Sequence, residues 1–352
     1  TPSDKTIFYR NKMEFSFAEK RWLTTEEINE SSEILDRDFS LGLHIPRVFD
    51  KALDINECFL QSEESNQILN FTRKFFKERK ISIYSTKTHE GYLRNLVIKQ
   101  SHHTNDLMVN LVTSNEDESL MMEYTSDLLK QIPAITTVIN NINLKKSQVA
   151  LGDYEKVFHG SGYIFDLIGK YKFRISANSF FQTNTLQAAK LYQTVLDFAE
   201  FNGSEIVYDL YSGAGTISIY MSEYVKKVYA FESVRAAVED AITNNGLNDV
   251  KNVEYFEADL NKSFIPLIQE KNIPAPDVVV ADPPRNGMNP KTVKDIIQLH
   301  PKKIVYVSCN PATQARDLKQ FSEAGFKIIK SRPVDMFPQT YHIENVVFLT
   351  KN

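Results

Sequence analysis

The sequence has few of the features that mark secreted, membrane-spanning or disulfide-rich proteins. Its 352 residues include only two cysteines, Cys58 and Cys309, which cannot form a disulfide framework. No apolar run approaches the roughly 20 residues that span a bilayer, and residues 1–5 lack the basic and then apolar layout of a signal peptide. These absences favour a cytoplasmic protein. Because the chain does not begin with methionine, we expect that an upstream segment has been removed.

An excess of positive charge is also absent, since the formal net charge is -4. Neutralising phosphates requires Lys and Arg, so this total argues mildly against a nucleic-acid partner. The distribution of charge matters more than the total. Residues 73–80 hold five basic residues against one acid, and residues 301–352 hold eight against four. A basic face is therefore compatible with the acidic total, although 73–80 alone fits a solvated helix face equally well.

From about Ile206 onward, short β-rich apolar runs alternate with amphipathic helical segments. Near-continuous hydrophobic strands separated by helices predict a parallel sheet covered on both faces. A last pair of runs without a strong helix between them predicts an antiparallel hairpin at one edge. Ligands of such an open α/β domain bind at the carboxyl ends of its strands. The predicted strands are 206–211, 227–232, 253–256, 277–282 and 303–308, and those of the hairpin are 326–330 and 346–349.

Residues 1–150 have a different texture, in which short strands mix with a few helices. Residues 12–17 and 110–112 predict strands, and a helix is predicted to open at Glu64 and to run to about Lys80. Residues 114–118 predict a turn and a helix start. We therefore expect a smaller α+β domain over 1–150, followed by the α/β domain over 151–352.

A glycine-containing turn follows the first predicted strand of the α/β domain, in residues 209–216 (Asp-Leu-Tyr-Ser-Gly-Ala-Gly-Thr). Glycines let the backbone turn sharply and approach a ligand closely. Ser218 stands where a dinucleotide-binding turn has its third glycine, so the turn suits an adenosyl ligand without a pyrophosphate. Glu232 ends the next strand, where an acid binds ribose hydroxyls, and Asp259 follows the third strand, placed to reach an adenine. The alternative is a tight turn with incidental acids.

Two further strand ends carry candidate catalytic groups. Asp282-Pro283-Pro284-Arg285 makes a rigid lip after the fourth strand. The lip resembles one found in several types of nucleic-acid methyltransferase. Those that methylate an exocyclic amine have an aromatic residue in place of Arg285, so the resemblance argues against that reaction. Cys309 follows the fifth strand and precedes a predicted helix, whose amino terminus is expected to lower the thiol pKa. The alternative is a small buried hydrophobic residue.

Four segments in this order resemble the RNA uracil-C5 methyltransferases, and more closely the branch that acts on ribosomal RNA. The resemblance extends over essentially the whole chain. It implies a Rossmann-like S-adenosylmethionine-dependent methyltransferase domain, a central α+β domain in contact with RNA, and a monomer that modifies ribosomal RNA or, as the alternative, transfer RNA. The segments are 173–184, 282–287, 307–313 and 336–344, and residues 9–17 look like the start of the central domain.

The resemblance also implies the roles of individual residues. Cys309 takes the position of a nucleophile that adds to C6 of uracil, and Glu344 that of the base that removes the C5 proton. Thr216 departs from an Asn that is common at its position. The residues implied to contact S-adenosylmethionine are Gln182, Tyr211, Thr216, Glu232, Asp259 and Asp282.

Members of this family usually begin with a small β-barrel domain and three cysteines that, with a fourth, hold an iron–sulfur cluster. Cys58 looks like the fourth position, but one cysteine cannot hold a cluster. We therefore expect no cluster in the chain as given. Two rival hypotheses stay open at this point: a methyltransferase acting on a base amine, and a non-catalytic protein that binds or folds RNA.

Overall fold

The computed structural model describes residues 1–30, 37–45, 48, 50–146 and 150–351. The chain forms two compact units. The N-terminal unit consists of Ile7–Asp166 with Ser176–Asn178, and the C-terminal unit consists of Thr1–Thr6, Leu167–Ile175 and Ser179–Asn352. No helix in the described ranges has both the length and the apolar character that crossing a membrane requires.

The N-terminal unit is built on a mixed sheet of seven described strands in the order β2-β3-β1-β4-β5-β6-β7. Because β7 pairs antiparallel with β6, this unit continues past residue 150. The strands are β1 (Lys12–Arg21), β2 (Asp38–His44), β3 (Lys51–Asp54), β4 (Leu93–Gln100), β5 (Leu107–Thr113), β6 (Thr137–Ile142) and β7 (Tyr154–His159), and the helices are α1 (Thr25–Glu30), α2 (Glu63–Glu78) and α3 (Glu118–Gln131). A separate hairpin follows, formed by β8 (Tyr163–Ile168) and β9 (Tyr171–Ser176).

Side-chain caps and one apolar face define the helices of this unit. Ser62 accepts a hydrogen bond from the Ser65 N–H at the start of α2, and Asp117 caps α3 in the same way. Phe76 of α2 packs against Tyr124 of α3 with ring centroids 5.0 Å apart. The predicted helix from Glu64 and the predicted helix start near residue 118 are therefore confirmed.

The C-terminal unit contains the predicted open sheet, in the order β12-β11-β10-β13-β14-β16-β15. The first five strands in this order are parallel, and the hairpin β15–β16 completes the edge antiparallel to β14, as the sequence predicts. The strands are β10 (Ile206–Leu210), β11 (Lys227–Glu232), β12 (Val253–Glu257), β13 (Val278–Ala281), β14 (Lys303–Ser308), β15 (Lys327–Val334) and β16 (Glu344–Thr350); the helices are α4 (Thr185–Ala199), α5 (Thr216–Met221), α6 (Arg235–Leu247), α7 (Ile265–Glu270), α8 (Pro290–Leu299) and α9 (Pro311–Glu323).

The strand order determines where a ligand can bind. The chain moves from β10 outward to β11 and β12, and then returns to the other side of β10 to form β13 and β14. The connections therefore leave a crevice at the carboxyl ends of β10 and β13, which is where open α/β sheets bind ligands. Residues 211–216 and Asp282 follow these two strands directly.

Candidate active site

The turn after β10 has a backbone that only a few residue types adopt easily. Tyr211, Gly213 and Gly215 all have positive φ, at 65°, 53° and 79°. A Cβ on Gly215 would lie 2.7 Å from the hydroxyl oxygen of Tyr255, so this position requires glycine. At Gly213 an added Cβ would meet no heavy atom within 4 Å apart from its chain neighbours, so the turn is open on that side.

Glu232, at the end of β11, holds this turn in place. Its Oε2 accepts a hydrogen bond of 3.0 Å from the N–H of Gly213, and its Oε1 accepts one of 2.9 Å from the N–H of Val234. Asp209 lies under the turn and accepts a hydrogen bond from Ser218. Burial raises the pKa of Asp209 to about 7. A carboxyl from each of two adjacent strands therefore borders the crevice.

Thr216 and Tyr211 already have partners within the protein. The Thr216 hydroxyl lies 2.7 Å from the hydroxyl of Tyr192, at the first turn of α5. Tyr211 packs partly against the core of the unit. Burial raises the pKa of its hydroxyl, and a hydrogen bond with Thr292 opposes that shift. Both residues lie at the predicted turn, and their side chains have structural contacts there.

Asp259 is the one predicted cofactor residue that the structure leaves at the surface. It lies beyond the end of β12, and its side chain is 45% exposed. The N–H of Asn261 donates a hydrogen bond of 3.0 Å to it, and Lys262 forms an ion pair at 3.1 Å. Both contacts lower the pKa of this carboxyl. These local contacts orient the side chain, which strand position alone does not predict.

Gln182 and Asp282 face each other at the crevice. Nε2 of Gln182 lies 3.5 Å from Oδ2 of Asp282, and Gln182 is buried. Burial raises the pKa of Asp282 above its ordinary value. Two segments that are far apart in the sequence are thus brought together, as the sequence analysis requires for a common site.

The pairing of β14 with β16 brings Cys309 and Glu344 together. The ladder ends where Ser308, the last residue of β14, pairs with Asn345 of β16, and Cys309 and Glu344 are the next residues at that end. The carboxyl of Glu344 is close enough to act on the thiol of Cys309 electrostatically. Because β16 runs antiparallel to β14, its amino end meets the carboxyl end of β14. Gln314 of α9 fixes this corner, since it accepts a hydrogen bond of 2.7 Å from Nδ2 of Asn345 and donates one of 3.1 Å to its carbonyl.

The Cys309 thiol is half-buried just before α9, at the position that the sequence predicts. The expected direction of its pKa shift is wrong. Burial raises the pKa of the thiol, the carboxyls of Glu344 and Asp282 raise it further, and the Arg285 guanidinium lowers it. Desolvation and two neighbouring acids therefore set the direction of the shift.

Glu344 is 5% exposed, and its Oε2 is buried without a hydrogen-bond partner among the described residues. Burial raises its pKa, Asp282 raises it further, and Arg285 lowers it. A buried polar atom without a partner costs free energy, so its presence at a cleft indicates a group that is kept ready for a ligand. Cys309, Glu344, Asp282 and Arg285 thus form one electrostatic cluster.

Arg285 connects the loops of this cluster, a role that the sequence analysis missed. Its carbonyl oxygen accepts hydrogen bonds of 3.0 Å from Nδ2 of Asn310 and 3.1 Å from the Thr313 hydroxyl. Its Nη2 lies 2.7 Å from Nδ1 and 2.9 Å from Nε2 of His342. The sequence does show polar residues after Cys309. It does not show that they bind the carbonyl of Arg285, 25 or more residues away, because that contact depends on the order of the strands.

Cys58, in the N-terminal unit, has apolar surroundings. It lies in the hydrophobic core of that unit, and its N–H donates a hydrogen bond of 2.9 Å to Oδ1 of Asn66. Within the ranges that the structure describes, no group of three or more His, Cys, Asp and Glu side chains is arranged to hold a metal ion.

Comparisons with known proteins identify relatives of this chain. The family model described as tRNA (Uracil-5-)-methyltransferase matches residues 101–352. An uncharacterized RNA methyltransferase of Chlorobaculum tepidum is 44% identical over 97% of this chain and 71% of its own length. One of Porphyromonas gingivalis is 41% identical over 99% of this chain and 76% of its own. Both relatives share most of their length with this chain.

A solved structure extends the likeness to the fold. The Pyrococcus abyssi tRNA (uracil-54, C5)-methyltransferase, in complex with S-adenosyl-L-homocysteine, is 30% identical and has a TM-score of 0.77. The match covers 99% of this chain and 78% of that one. The likeness therefore includes both units.

The crevice fits an adenosyl ligand on the chemistry of its own atoms. Among the described residues, Oδ1 of Asp209 and the Ser212 hydroxyl are buried without hydrogen-bond partners. Ser212 is part of the glycine turn that Glu232 holds, and Asp209 lies beneath it. Polar groups, a carboxylate and accessible backbone therefore meet at the same strand ends. From its fold, its site and these relatives, the chain belongs to the RNA uracil-C5 methyltransferase family and is an S-adenosylmethionine-dependent RNA methyltransferase.

Proposed function

We propose that this enzyme methylates C5 of a specific uridine in ribosomal RNA, through a covalent bond between Cys309 and C6 of the base. The observation that carries the proposal is the proximity of Cys309 to the buried Glu344 at the end of the β14–β16 ladder. A uridine in transfer RNA is the second candidate, because the Pyrococcus abyssi structure is that of a tRNA methyltransferase.

Carbon 5 of uracil is a poor nucleophile and must be activated before it can accept a methyl group. The Cys309 thiolate adds to C6, which converts the ring to an enolate whose C5 is nucleophilic. Bound S-adenosylmethionine supplies the methyl group. Glu344 then accepts the C5 proton, and the C6–S bond breaks to release the methylated base and the thiolate. The thiolate of Cys309 is regenerated by this step, and Glu344 returns to its carboxylate form when it releases the C5 proton to water.

We assign the cofactor contacts to the residues around the glycine turn and its neighbours. We expect Glu232 to accept hydrogen bonds from ribose hydroxyls; its carboxylate already accepts one from the N–H of Gly213, where an added Cβ would meet no other heavy atom within 4 Å. Asp259 is the weakest member, since it is exposed and paired with Lys262. The full proposed set is Gln182, Tyr211, Thr216, Glu232, Asp259 and Asp282.

We further propose that the domain formed by residues 1–150 contacts the RNA. The basic run 73–80 supports this only in part, because two of its arginines already form ion pairs with acids of the same unit. Arg73 pairs with Asp54 at 2.8 Å, and Arg79 pairs with Glu123. Lys74 is largely exposed and pairs only loosely with Glu78, at 4.0 Å. Phosphate contacts from this domain would make RNA binding depend on salt.

The deciding experiment maps 5-methyluridine by mass spectrometry in ribosomal and transfer RNA from cells with and without the gene. We expect one 5-methyluridine in ribosomal RNA to vanish on deletion, to return with the intact gene and not to return with Cys309→Ser. Loss from transfer RNA instead would select the second candidate. Loss of a nucleoside methylated on a base amine, with 5-methyluridine unchanged, would reject both.

A further inference from the structure

An exposed aromatic pair borders the active site on the loop between β15 and β16. Tyr341 is 90% exposed, and its ring centroid lies 4.0 Å from that of His342. Phe337 contacts the same imidazole edge-on, with centroids 6.2 Å apart. Tyrosine is enriched at binding interfaces because it combines an apolar ring with a polar hydroxyl.

The loop presents this pair from a closed turn. The N–H of Thr340 donates a hydrogen bond of 3.1 Å to the carbonyl of Phe337, and the Thr340 hydroxyl donates one of 2.7 Å to the same oxygen. The N–H of His342 in turn donates to the Thr340 hydroxyl at 3.1 Å. Because the backbone is already fixed, binding a ligand on Tyr341 costs little further conformational entropy.

The pair is also close to the reacting groups. Arg285, which contacts the His342 ring, lies within reach of the Cys309 thiol. Only two residues separate Tyr341 from Glu344, so their Cα atoms are at most about 10 Å apart. A ligand on the Tyr341 ring therefore lies near a base held at Cys309 and is distinct from it.

We propose that Tyr341, in contact with His342 beside Arg285, is a platform for the nucleobase next to the methylated uridine. This inference rests on the proposed function. Cys309 can reach C6 only when the uridine has left its base stack, and its neighbour then loses a stacking partner. An aromatic ring replaces that partner whatever the base is, and Arg285 supplies positive charge for the adjoining phosphate.

The test measures RNA binding and does not need methyl transfer. Fluorescence anisotropy with a fluorescein-labelled oligouridine gives the dissociation constant of each variant. We expect Tyr341→Ala to weaken binding by about tenfold and Tyr341→Phe to bind as the parent does, since stacking needs the ring and not the hydroxyl. The matched control is Tyr224→Ala. Tyr224 is also exposed, at 44%, but it precedes β11 and so lies at the amino ends of the parallel strands, away from the site at their carboxyl ends.

Salt dependence separates stacking from charge. Replacing Tyr341 should leave the slope of log Kd against log salt unchanged, because no phosphate contact is lost. The affinity for S-adenosylmethionine, measured by calorimetry, should also be unchanged. The proposal is overturned if the parent does not bind the oligouridine, if Tyr341→Ala binds as well as the parent, or if Tyr341→Phe loses as much as Tyr341→Ala. Because this assay measures binding alone, its result can be interpreted even if the 5-methyluridine mapping contradicts the proposed function.

Discussion

The two cysteines of this chain have opposite environments. Cys58 is surrounded by apolar side chains, and its backbone N–H donates a hydrogen bond to the side chain of Asn66. Cys309 is half-buried at a strand end, between two carboxyls that raise its pKa and a guanidinium that lowers it. Residue type is the same in both places, so the charged neighbours distinguish a candidate nucleophile from a small hydrophobic residue.

Replacing each cysteine in turn is expected to give the largest difference in methyl-transfer activity. Cys309→Ser should leave no detectable methyl transfer from labelled S-adenosylmethionine to RNA, because a serine hydroxyl is a far weaker nucleophile than a thiolate. Cys58→Ala should keep its activity and lose only about 1 kcal/mol in the free energy of unfolding. Calorimetry should find cofactor affinity nearly intact in both variants. If Cys309→Ser lost that affinity too, Cys309 would have a structural role.

The second prediction separates Cys309 from Glu344 by the species that accumulates. Glu344→Gln keeps the size of the side chain but cannot accept the C5 proton, so turnover should fall by about 10²–10⁴-fold. Methyl transfer should still occur once, leaving a labelled protein–RNA adduct that survives denaturing electrophoresis. The adduct should vanish in the Glu344→Gln, Cys309→Ala double variant. Normal turnover by Glu344→Gln would move the base elsewhere, with Asp282 as the next candidate.

A third comparison concerns Glu232 and Asp259, two acids predicted to bind the cofactor from their similar positions at strand ends. Charged hydrogen bonds are worth roughly 1.5–3 kcal/mol, so Glu232→Ala should weaken S-adenosylmethionine binding by about tenfold or more. Asp259→Ala should change it by less than about twofold, because an exposed ion pair contributes little. Titration calorimetry measures both. Equal losses would make Asp259 as strong a cofactor contact as Glu232, and an unchanged constant for Glu232→Ala would remove Glu232 from the site.

The smallest expected effect is a shift in the pH at which Cys309 is alkylated. Its pKa is raised, so the reactive thiolate is scarce at neutral pH and the iodoacetamide rate should rise with pH beyond the range of an ordinary thiol. Arg285→Gln removes the group that lowers this pKa and should shift the profile further upward. Arg285→Lys should restore most of the difference. A profile in Arg285→Gln at or below that of the parent would contradict this electrostatic assignment.

Local patterns in the sequence were sufficient for the framework of the C-terminal unit. The predicted strands 227–232 and 303–308 coincide with β11 and β14, since buried parallel strands must be apolar on both faces. The turn at Gly213 and Gly215 was readable for a similar reason, because positive φ favours glycine. Such features depend on residues close together in the chain.

Contacts between distant segments were not predictable in the same way. The outward orientation of Asp259 depends on Lys262, and the pKa of Cys309 depends on how deeply the strand end is buried and on which carboxyls meet there. The bond from Asn310 to the carbonyl of Arg285 exists only once β13 and β14 are neighbours. Sequence position identified the candidate residues, and their electrostatics required the assembled sheet.

The antiparallel register of β16 also controls how the enzyme tolerates insertions. Side chains alternate faces along a strand, so a slip of one residue would turn Glu344 away from Cys309, and a slip of two would move it by about 7 Å. Extra residues in the loop before Glu344 leave this ladder intact, whereas one added residue within β16 breaks it. The separation of acid and thiol is therefore held by the backbone hydrogen bonds of the ladder.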